Sequence, residues 1–117
     1  MATFSKRKLS GSTDGKGIKV AATSTPGTAI HTAVTGTSDL DEIYLYAVNS
    51  STAAVKLTIE FGSATAPDDN IEYTVPAEDG LYLVVPGLLL QNAATVAAFA
   101  GTTNVLIVHG YVNRITA

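Results

Sequence analysis

The stretch Val55-Lys56-Leu57-Thr58-Ile59-Glu60-Phe61 decides the fold of this chain, because its apolar and polar residues alternate without interruption. Successive side chains of a β-strand point to opposite faces, so this alternation predicts a strand with one buried and one solvated face. Residues 71–75 alternate in the same way, with Glu72 and Thr74 on the solvated side. No segment shows a convincing helical pattern, and we therefore expect an all-β fold.

Turn signals divide the remainder of the chain into further short strands. Clusters of Pro, Gly, Asn, Asp and Ser recur at intervals of roughly 8–12 residues, which is typical of antiparallel sandwiches and barrels. The predicted strands cover residues 18–23, 28–34, 41–48, 53–61, 71–75, 81–85 with 88–90, 95–100 and 104–115. Pro86-Gly87 predicts a bend in the chain, because proline is confined to edge strands, strand starts and bulges. We predict an antiparallel, jelly-roll-like β-sandwich of about eight strands over residues 18–117.

The composition indicates one domain with surfaces that contact partners. The 117 residues suffice for one core, and the 46% of hydrophobic residues exclude a disordered chain. Only 15% of the residues are charged, well below the average of about 25% for globular proteins. Because a monomer of this size must solvate much of its surface, so few charges predict faces that other subunits cover. The absence of cysteine excludes a disulfide framework and a thiolate nucleophile.

The charges are divided between the start of the chain and the rest. Five of the seven basic residues lie in the first 19 positions, where Asp14 is the only acid, so this segment has a net charge of +4. The remaining residues carry two basic and nine acidic side chains, a net charge of −7. Residues 1–17 are rich in glycine and serine, which predicts a flexible basic N-terminal arm outside the sandwich. We expect the arm to bind partners through its charges and two apolar anchors, a set made of Phe4, Lys6, Arg7, Lys8 and Leu9.

Two predicted strands are apolar on both faces. They contain Ile43-Tyr44-Leu45-Tyr46-Ala47-Val48 and Val105-Leu106-Ile107-Val108. A two-sheet sandwich buries only one face of each strand, so such strands need a second cover. Another subunit supplies that cover in one interpretation, and surrounding loops supply it in the other. We predict a homo-oligomer whose interface includes Tyr44, Tyr46, Leu106 and Val108.

No group of residues forms a recognisable catalytic motif. Residues 11–17 lack the glycine spacing and the Lys-Ser/Thr pair of a phosphate-binding loop. His31 and His109 have no neighbour in the sequence that would complete a catalytic or metal site. The acidic clusters at residues 39–42 and 68–72 suit turns, and calcium binding is the alternative that stays open for them. We predict a non-enzymatic protein with no cofactor, no catalytic residue and no metal-binding residue.

The charge pattern also bears on the kind of partner. The run Lys6-Arg7-Lys8 favours contact with an acidic protein over nucleic acid, because the acidic body repels a polyanion. Residues 81–90 are the longest apolar stretch, and they are too short to span a bilayer. The basic start is not followed by the apolar run of a signal peptide. We therefore expect a soluble protein without an N-terminal export signal and without a membrane partner.

Four segments of the chain resemble small virion proteins of tailed bacteriophages. They are Ala2-Thr3-Phe4-Ser5-Lys6-Arg7-Lys8-Leu9-Ser10, Gly17-Ile18-Lys19-Val20-Ala21-Ala22-Thr23, Leu40-Asp41-Glu42-Ile43-Tyr44-Leu45-Tyr46-Ala47-Val48-Asn49 and Val108-His109-Gly110-Tyr111-Val112-Asn113-Arg114-Ile115. The resemblance implies a structural protein that decorates or stabilises the capsid, often as a homotrimer with a jelly-roll-like body. Its partners would be further copies of itself and the major capsid protein or other virion proteins. Its location would be the virion, after synthesis in the host bacterial cytoplasm.

The resemblance is nearly as compatible with a protein of the head–tail junction or the tail surface. Such a protein would act as a receptor- or carbohydrate-binding module. Five tyrosines are available to form a sugar platform: Tyr44, Tyr46, Tyr73, Tyr82 and Tyr111. Tyrosines at core and interface edges are the more common explanation, because the ring is buried there while the hydroxyl stays hydrated.

Overall fold

The computed structural model describes residues 2–117, which form nine β-strands and no helix. In chain order the strands are β1 (Thr3–Lys8), β2 (Ile18–Lys19), β3 (Thr28–Thr32), β4 (Leu40–Asn49), β5 (Val55–Gly62), β6 (Asn70–Val75), β7 (Leu81–Leu90), β8 (Thr95–Ala100) and β9 (Leu106–Thr116). The five-stranded sheet has the order β1-β9-β4-β7, with β2 also paired to β9, and the four-stranded sheet has the order β3-β8-β5-β6. Every pairing is antiparallel, so the predicted all-β antiparallel sandwich is confirmed. Its jelly-roll strand order stays a prediction.

The core lies between the two sheets and is built by alternation. In β4 the side chains of Ile43 and Leu45 are fully buried, whereas the residues between them are half-buried. In β5 the side chains of Leu57 and Ile59 are fully buried in the facing layer. Burial of one such side chain contributes about 1.5–3 kcal/mol, so the contact between the sheets is the main source of stability.

The side chain of Asn49 closes the connection between the two sheets. Its amide nitrogen donates to the carbonyl oxygens of Ala53 and Val75, both at 2.9 Å. Its amide oxygen accepts from the backbone N–H of Ser51 at 2.9 Å. Asn49 is therefore a buried structural residue that ties the β4–β5 turn to the end of β6.

The prediction of a flexible arm over residues 1–17 is wrong for the described part of that segment. β1 pairs with β9 in continuous register, from Thr3 opposite Thr116 to Lys8 opposite Tyr111. Beyond β1, the backbone N–H of Gly11 donates to the carbonyl of Ile30 at 2.9 Å and so connects this segment to β3. The physical reason is that an edge strand tolerates exposed lysine and arginine, which makes its sequence resemble that of an arm.

The prediction of two strands separated at Pro86-Gly87 is also wrong, because β7 continues through this pair. The register between β4 and β7 shifts twice near the proline, between Ile43 and Tyr44 and between Leu45 and Tyr46. These bulges accommodate the proline, and β7 is a terminal strand of its sheet, where a missing N–H donor is tolerated. Gly87 has a φ of 89°, and a Cβ there would lie 2.9 Å from the Tyr44 ring.

Candidate functional site

The side of the five-stranded sheet that faces away from the core carries a surface of tyrosine and leucine. Tyr44 of β4 lies opposite Tyr111 of β9, and Tyr46 lies opposite Leu83 of β7. Because residues opposite each other in a ladder share a face, these side chains point to the same side. We call this surface the outer face; it consists of Tyr44, Tyr46, Leu81, Leu83, Leu89 and Tyr111.

The outer face exposes much of its apolar area. Leu81 is 55% exposed, Leu83 is 49% exposed and Leu89 is 50% exposed, all on the terminal strand β7. At the opposite edge of the same sheet, and on the same face, Phe4 of β1 is 67% exposed. Contiguous exposed apolar area of this kind is uncommon on monomers and typical of surfaces that bind another protein.

Two tyrosine rings at the centre of the outer face pack against each other. The rings of Tyr44 and Tyr111 stack with centroids 4.9 Å apart and planes 16° apart. The ammonium group of Lys6 lies 5.0 Å from the Tyr111 ring centroid, a cation–π contact. Partial burial, together with the neighbouring carboxylate of Glu42, raises the pKa of Tyr44 above its ordinary value. The outer face therefore presents a pre-arranged pair of stacked rings.

Of the four residues predicted for the oligomer interface, two are accessible and two are buried in the core. Tyr44 and Tyr46 are half-buried on the outer face, where another molecule can reach them. Leu106 and Val108 have no exposed area and belong to the core between the sheets, so their assignment to an oligomer interface is wrong. The physical reason is that β9 buries these two residues against the other sheet, while Ile107 and His109 alternate onto the opposite side.

Of the five residues of the arm that were predicted to bind a partner, four are exposed and one is buried. Phe4, Lys6, Arg7 and Lys8 are exposed on β1. Leu9 is 1% exposed and packs within the core, so it does not serve as an anchor for a partner.

A buried polar cluster lies below β1 and links three strands. Arg114 of β9 donates from Nε to Oδ1 of Asp41 at 2.7 Å and from Nη2 to Oδ2 at 3.0 Å. Nε2 of His31 lies 2.8 Å from the same Oδ2, and Nδ1 of His31 accepts from the backbone N–H of Ser10 at 2.9 Å. Since Nδ1 is an acceptor, the proton of the neutral ring lies on Nε2 and is donated to Asp41.

The ionisation of Asp41 follows from these partners. Burial alone would raise the pKa of Asp41, but the hydrogen bonds from Arg114 and His31, together with the charge of Arg114, outweigh it and hold the pKa below its usual value. The hydrogen bond to Asp41 raises the pKa of Arg114 against the opposing effect of burial. This cluster is fully paired, and its arrangement serves to join β3, β4 and β9.

A pocket of about 340 Å³ opens above this cluster at the side of the sandwich where β1 and β3 lie. Its lining is mainly basic and hydroxylated: Arg7, Lys8, Ser10, His31, Thr32 and Arg114. The carboxylate of Asp41 is buried below and is occupied by Arg114. The pocket therefore presents cationic donors, which suits a carboxylate or another anion.

Only one of the two acidic clusters of the sequence, at residues 68–72, acts within a turn, because Asp41 and Glu42 of the other cluster lie in β4. Asp69 accepts from the hydroxyl of Ser63 and, at 3.0 Å, from the backbone N–H of Thr65. Asp39 accepts from the backbone N–H of Ala117 at 3.0 Å. Within residues 2–117, no three His, Asp or Glu side chains are grouped so that they could hold a metal ion.

The five tyrosines do not form one platform. Tyr73 and Tyr82 lie together at the side where β6 and β7 run, with ring centroids 5.9 Å apart. The hydroxyl of Tyr82 donates to Asp79, and this hydrogen bond, together with partial burial, raises the pKa of Tyr82. Tyr44, Tyr46 and Tyr111 lie apart from this pair, on the outer face.

The buried pair of Asp41 and Arg114 is the feature that sequence reasoning missed. Part of the signal was present, because Asp41 stands in the same alternating series as Ile43 and Leu45, and the structure shows that this series faces the core. An inward carboxylate must be paired, and Arg114 is one of only two basic residues after position 19.

No family model, curated protein or solved structure matches the chain. The part of the chain that the structure describes contains no helix with the length and apolarity needed to cross a membrane. The fold and the surface define the class of this protein as an all-β two-sheet sandwich with exposed apolar side chains on one outer face.

Proposed function

We propose that this chain is a non-enzymatic structural protein of a tailed-phage virion that decorates or cements the capsid shell as a homo-oligomer, with a trimer as the expected form. The observation that carries the proposal is the outer face, whose three leucines are about half exposed beside a stacked tyrosine pair. A surface of this kind contributes binding area and needs no chemistry, as a decorating protein requires.

The occupant of the outer face in this proposal is the capsid shell. Leucine and tyrosine side chains gain most from burial against a complementary apolar patch, and tyrosine retains a hydroxyl for the wet rim of an interface. The choice of the shell as the partner follows the resemblance to small phage virion proteins that we expect from four segments of the sequence. The exposed residues of β1, especially Phe4, extend the same face to the opposite side of the sheet.

The test is co-sedimentation of the purified chain with heads of the encoding phage that were assembled without it. The double substitution Leu83→Lys/Leu89→Lys places two charges in the outer face and should weaken shell binding by more than about tenfold, since buried unpaired charges are costly. The matched control is Thr37→Lys/Ser38→Lys, which adds the same charge at exposed loop positions. Equal binding by both variants contradicts the shell-facing role of the outer face.

A tail-surface module that binds carbohydrate is the second candidate, and the cluster of Tyr44, Tyr46 and Tyr111 favours it. Exposed aromatic rings stack against sugars, so glycan binding should depend on these residues. A glycan-array screen with the native chain and with Tyr46→Ala tests this candidate. Binding that Tyr46→Ala removes supports it, and the absence of any glycan signal from the native chain excludes it in favour of shell binding.

A further inference from the structure

The basic residues near the start of the chain and many of its acidic residues lie on opposite sides of the sandwich. β1 is the terminal strand of the five-stranded sheet, and β2 pairs beside it on the same strand, β9. Five exposed basic residues lie on these strands and the loop between them, with Asp14 as the only acid of that segment. We call this surface the basic edge; it consists of Lys6, Arg7, Lys8, Lys16 and Lys19.

The other side of the sandwich carries the complementary charge. β6 is the terminal strand of the four-stranded sheet, and the loop after it leads to β7, the other terminal strand of the five-stranded sheet. The acids of β6 and its two flanking loops form the acidic edge, which consists of Asp68, Asp69, Glu72, Glu78 and Asp79. Lys56, paired with Glu72 at 3.0 Å, is the only basic side chain in an ion pair with this set among the described residues.

One copy of the chain cannot neutralise its own two edges. They are separated by the width of the sheets, roughly 14 Å of backbone for three strand spacings, and they face in opposite directions. Exposed charges at such a separation are largely screened at physiological salt. A second copy, by contrast, can bring an acidic edge into direct contact with a basic one.

The basic edge also contains a place for the carboxylates of such a partner. The pocket of about 340 Å³ between β1 and β3 has Arg7 and Lys8 at its rim and Arg114 at its base. The side chains of Arg7 and Lys8 form no ion pair within the described residues. Arginine and lysine donors converging on one pocket bind carboxylates through charge-assisted hydrogen bonds.

We propose that the basic edge of one copy binds the acidic edge of a second copy, with acidic side chains entering the pocket between β1 and β3. The inference rests on the homo-oligomer of the proposed function and names its interface. A contact between two different surfaces of the same chain is head to tail, and it closes into a ring if its rotation permits. The outer face stays free in such a ring for binding to the shell.

The test is the mass of the full chain in solution, measured by sedimentation velocity at about 0.1 M and about 1 M NaCl. The Debye length falls from about 10 Å to about 3 Å between these conditions, so an oligomer held by the edges should dissociate as salt rises. Lys6→Glu/Arg7→Glu/Lys8→Glu reverses the basic edge from +5 to −1, and Asp68→Lys/Glu78→Lys/Asp79→Lys reverses the acidic edge from −5 to +1. Each triple variant should associate with itself at least about tenfold more weakly than the native chain.

The six substitutions combined provide the matched control. This variant has the net charge of the native chain and carries both edges with exchanged signs, so it should form the native oligomer again. An equimolar mixture of the two triple variants should also associate, with the variants alternating, whereas each alone associates at least about tenfold more weakly than the native chain. A closed trimer is excluded in that mixture, because three copies cannot alternate around a ring.

Three outcomes would overturn the proposal. The first is a native chain that is monomeric at both salt concentrations, in which case the edge charges only prevent the sheet edges from pairing. The second is an oligomer that survives both reversals but is lost in Leu83→Lys/Leu89→Lys, which would assign self-association to the outer face. The third is a combined variant that stays monomeric. Shell binding is measured separately by co-sedimentation, so the failure of the edge contact is distinguishable from the failure of the proposed function.

Discussion

The guanidinium group of Arg114 binds the fully buried carboxylate of Asp41 through two hydrogen bonds, of 2.7 and 3.0 Å. Asp41 in turn accepts from His31 of β3 and, at 3.1 Å, from the backbone N–H of Val34. One carboxylate therefore joins both sheets beneath the basic pocket. Because it has donors on both oxygens, the cluster has no unpaired buried atom among the described residues.

Replacement of Asp41 by alanine should lower the free energy of unfolding by about 3–5 kcal/mol, because Arg114 and His31 lose their common acceptor while they remain partly or fully buried. Urea unfolding measured by circular dichroism checks this value. The exposed pair Lys56–Glu72 supplies the control, and Lys56→Ala should change the free energy by less than about 1 kcal/mol. Similar losses for the two variants would contradict the central role of the Asp41 cluster.

Acid should destabilise the protein in part through Asp41. Its pKa is lower in the folded chain than in the unfolded chain, so the unfolded chain binds more protons between the two values. The stabilisation is complete above the ordinary aspartate pKa of about 3.9 and is lost as the pH falls toward the lower folded value. Urea midpoints measured from neutral pH into this acidic range should fall less steeply in Asp41→Asn than in the native chain. Identical slopes would show that Asp41 does not contribute.

The described part of the N-terminal segment should behave as a component of the sandwich. Leu9→Ala should lower the free energy of unfolding by about 2–5 kcal/mol, as expected for a buried leucine, whereas Phe4→Ala should change it by less than about 0.5 kcal/mol. Deletion of residues 1–17 removes β1 and Leu9 together and should destabilise the body. A truncated chain with native stability would restore the flexible arm expected from the sequence.

Gly110 should tolerate no side chain. A Cβ at this position would lie 2.1 Å from the carbonyl oxygen of Tyr44, on the neighbouring central strand. Gly110→Ala therefore requires β4 and β9 to separate locally and should cost about 2 kcal/mol or more. Gly101→Ala is the control, since its Cβ would have only ordinary contacts at 3.9 Å or beyond. Thermal unfolding of the two variants distinguishes them, and equal midpoints would contradict the close approach of the strands.

Most strands of the fold were predictable, because the alternation of apolar and polar residues is visible within each short segment of the sequence. Residues 55–61, 71–75 and 95–100 form β5, β6 and β8 as predicted. The predicted solvated face of β5 is wrong, because Thr58 and Glu60 are buried there. The strand predicted at residues 18–23 is reduced to Ile18–Lys19. β1 was missed because its lysines and arginine hide the alternation, and only pairing with β9 shows it to be a strand.

The candidate surfaces were predictable only in part, because burial depends on which sheet covers a strand. Tyr44 and Leu106 both lie in strands that are apolar on both faces, yet the first is on the outer face and the second is in the core. The sequence carries no local signal for this choice. The charge division was visible in the sequence, but its arrangement on opposite edges required the strand order.

The proposed location of the chain on a capsid shell is the central claim, and imaging of the particles tests it most directly. Electron cryomicroscopy should compare heads of the proposed parent phage with heads of the same phage after deletion of the gene for this chain. We predict that the deletion removes a regular array of surface density from the shell, and that the fitted sandwich has its outer face toward the shell. Identical shells would contradict the account, whether the two particles differ only in the tail or do not differ at all.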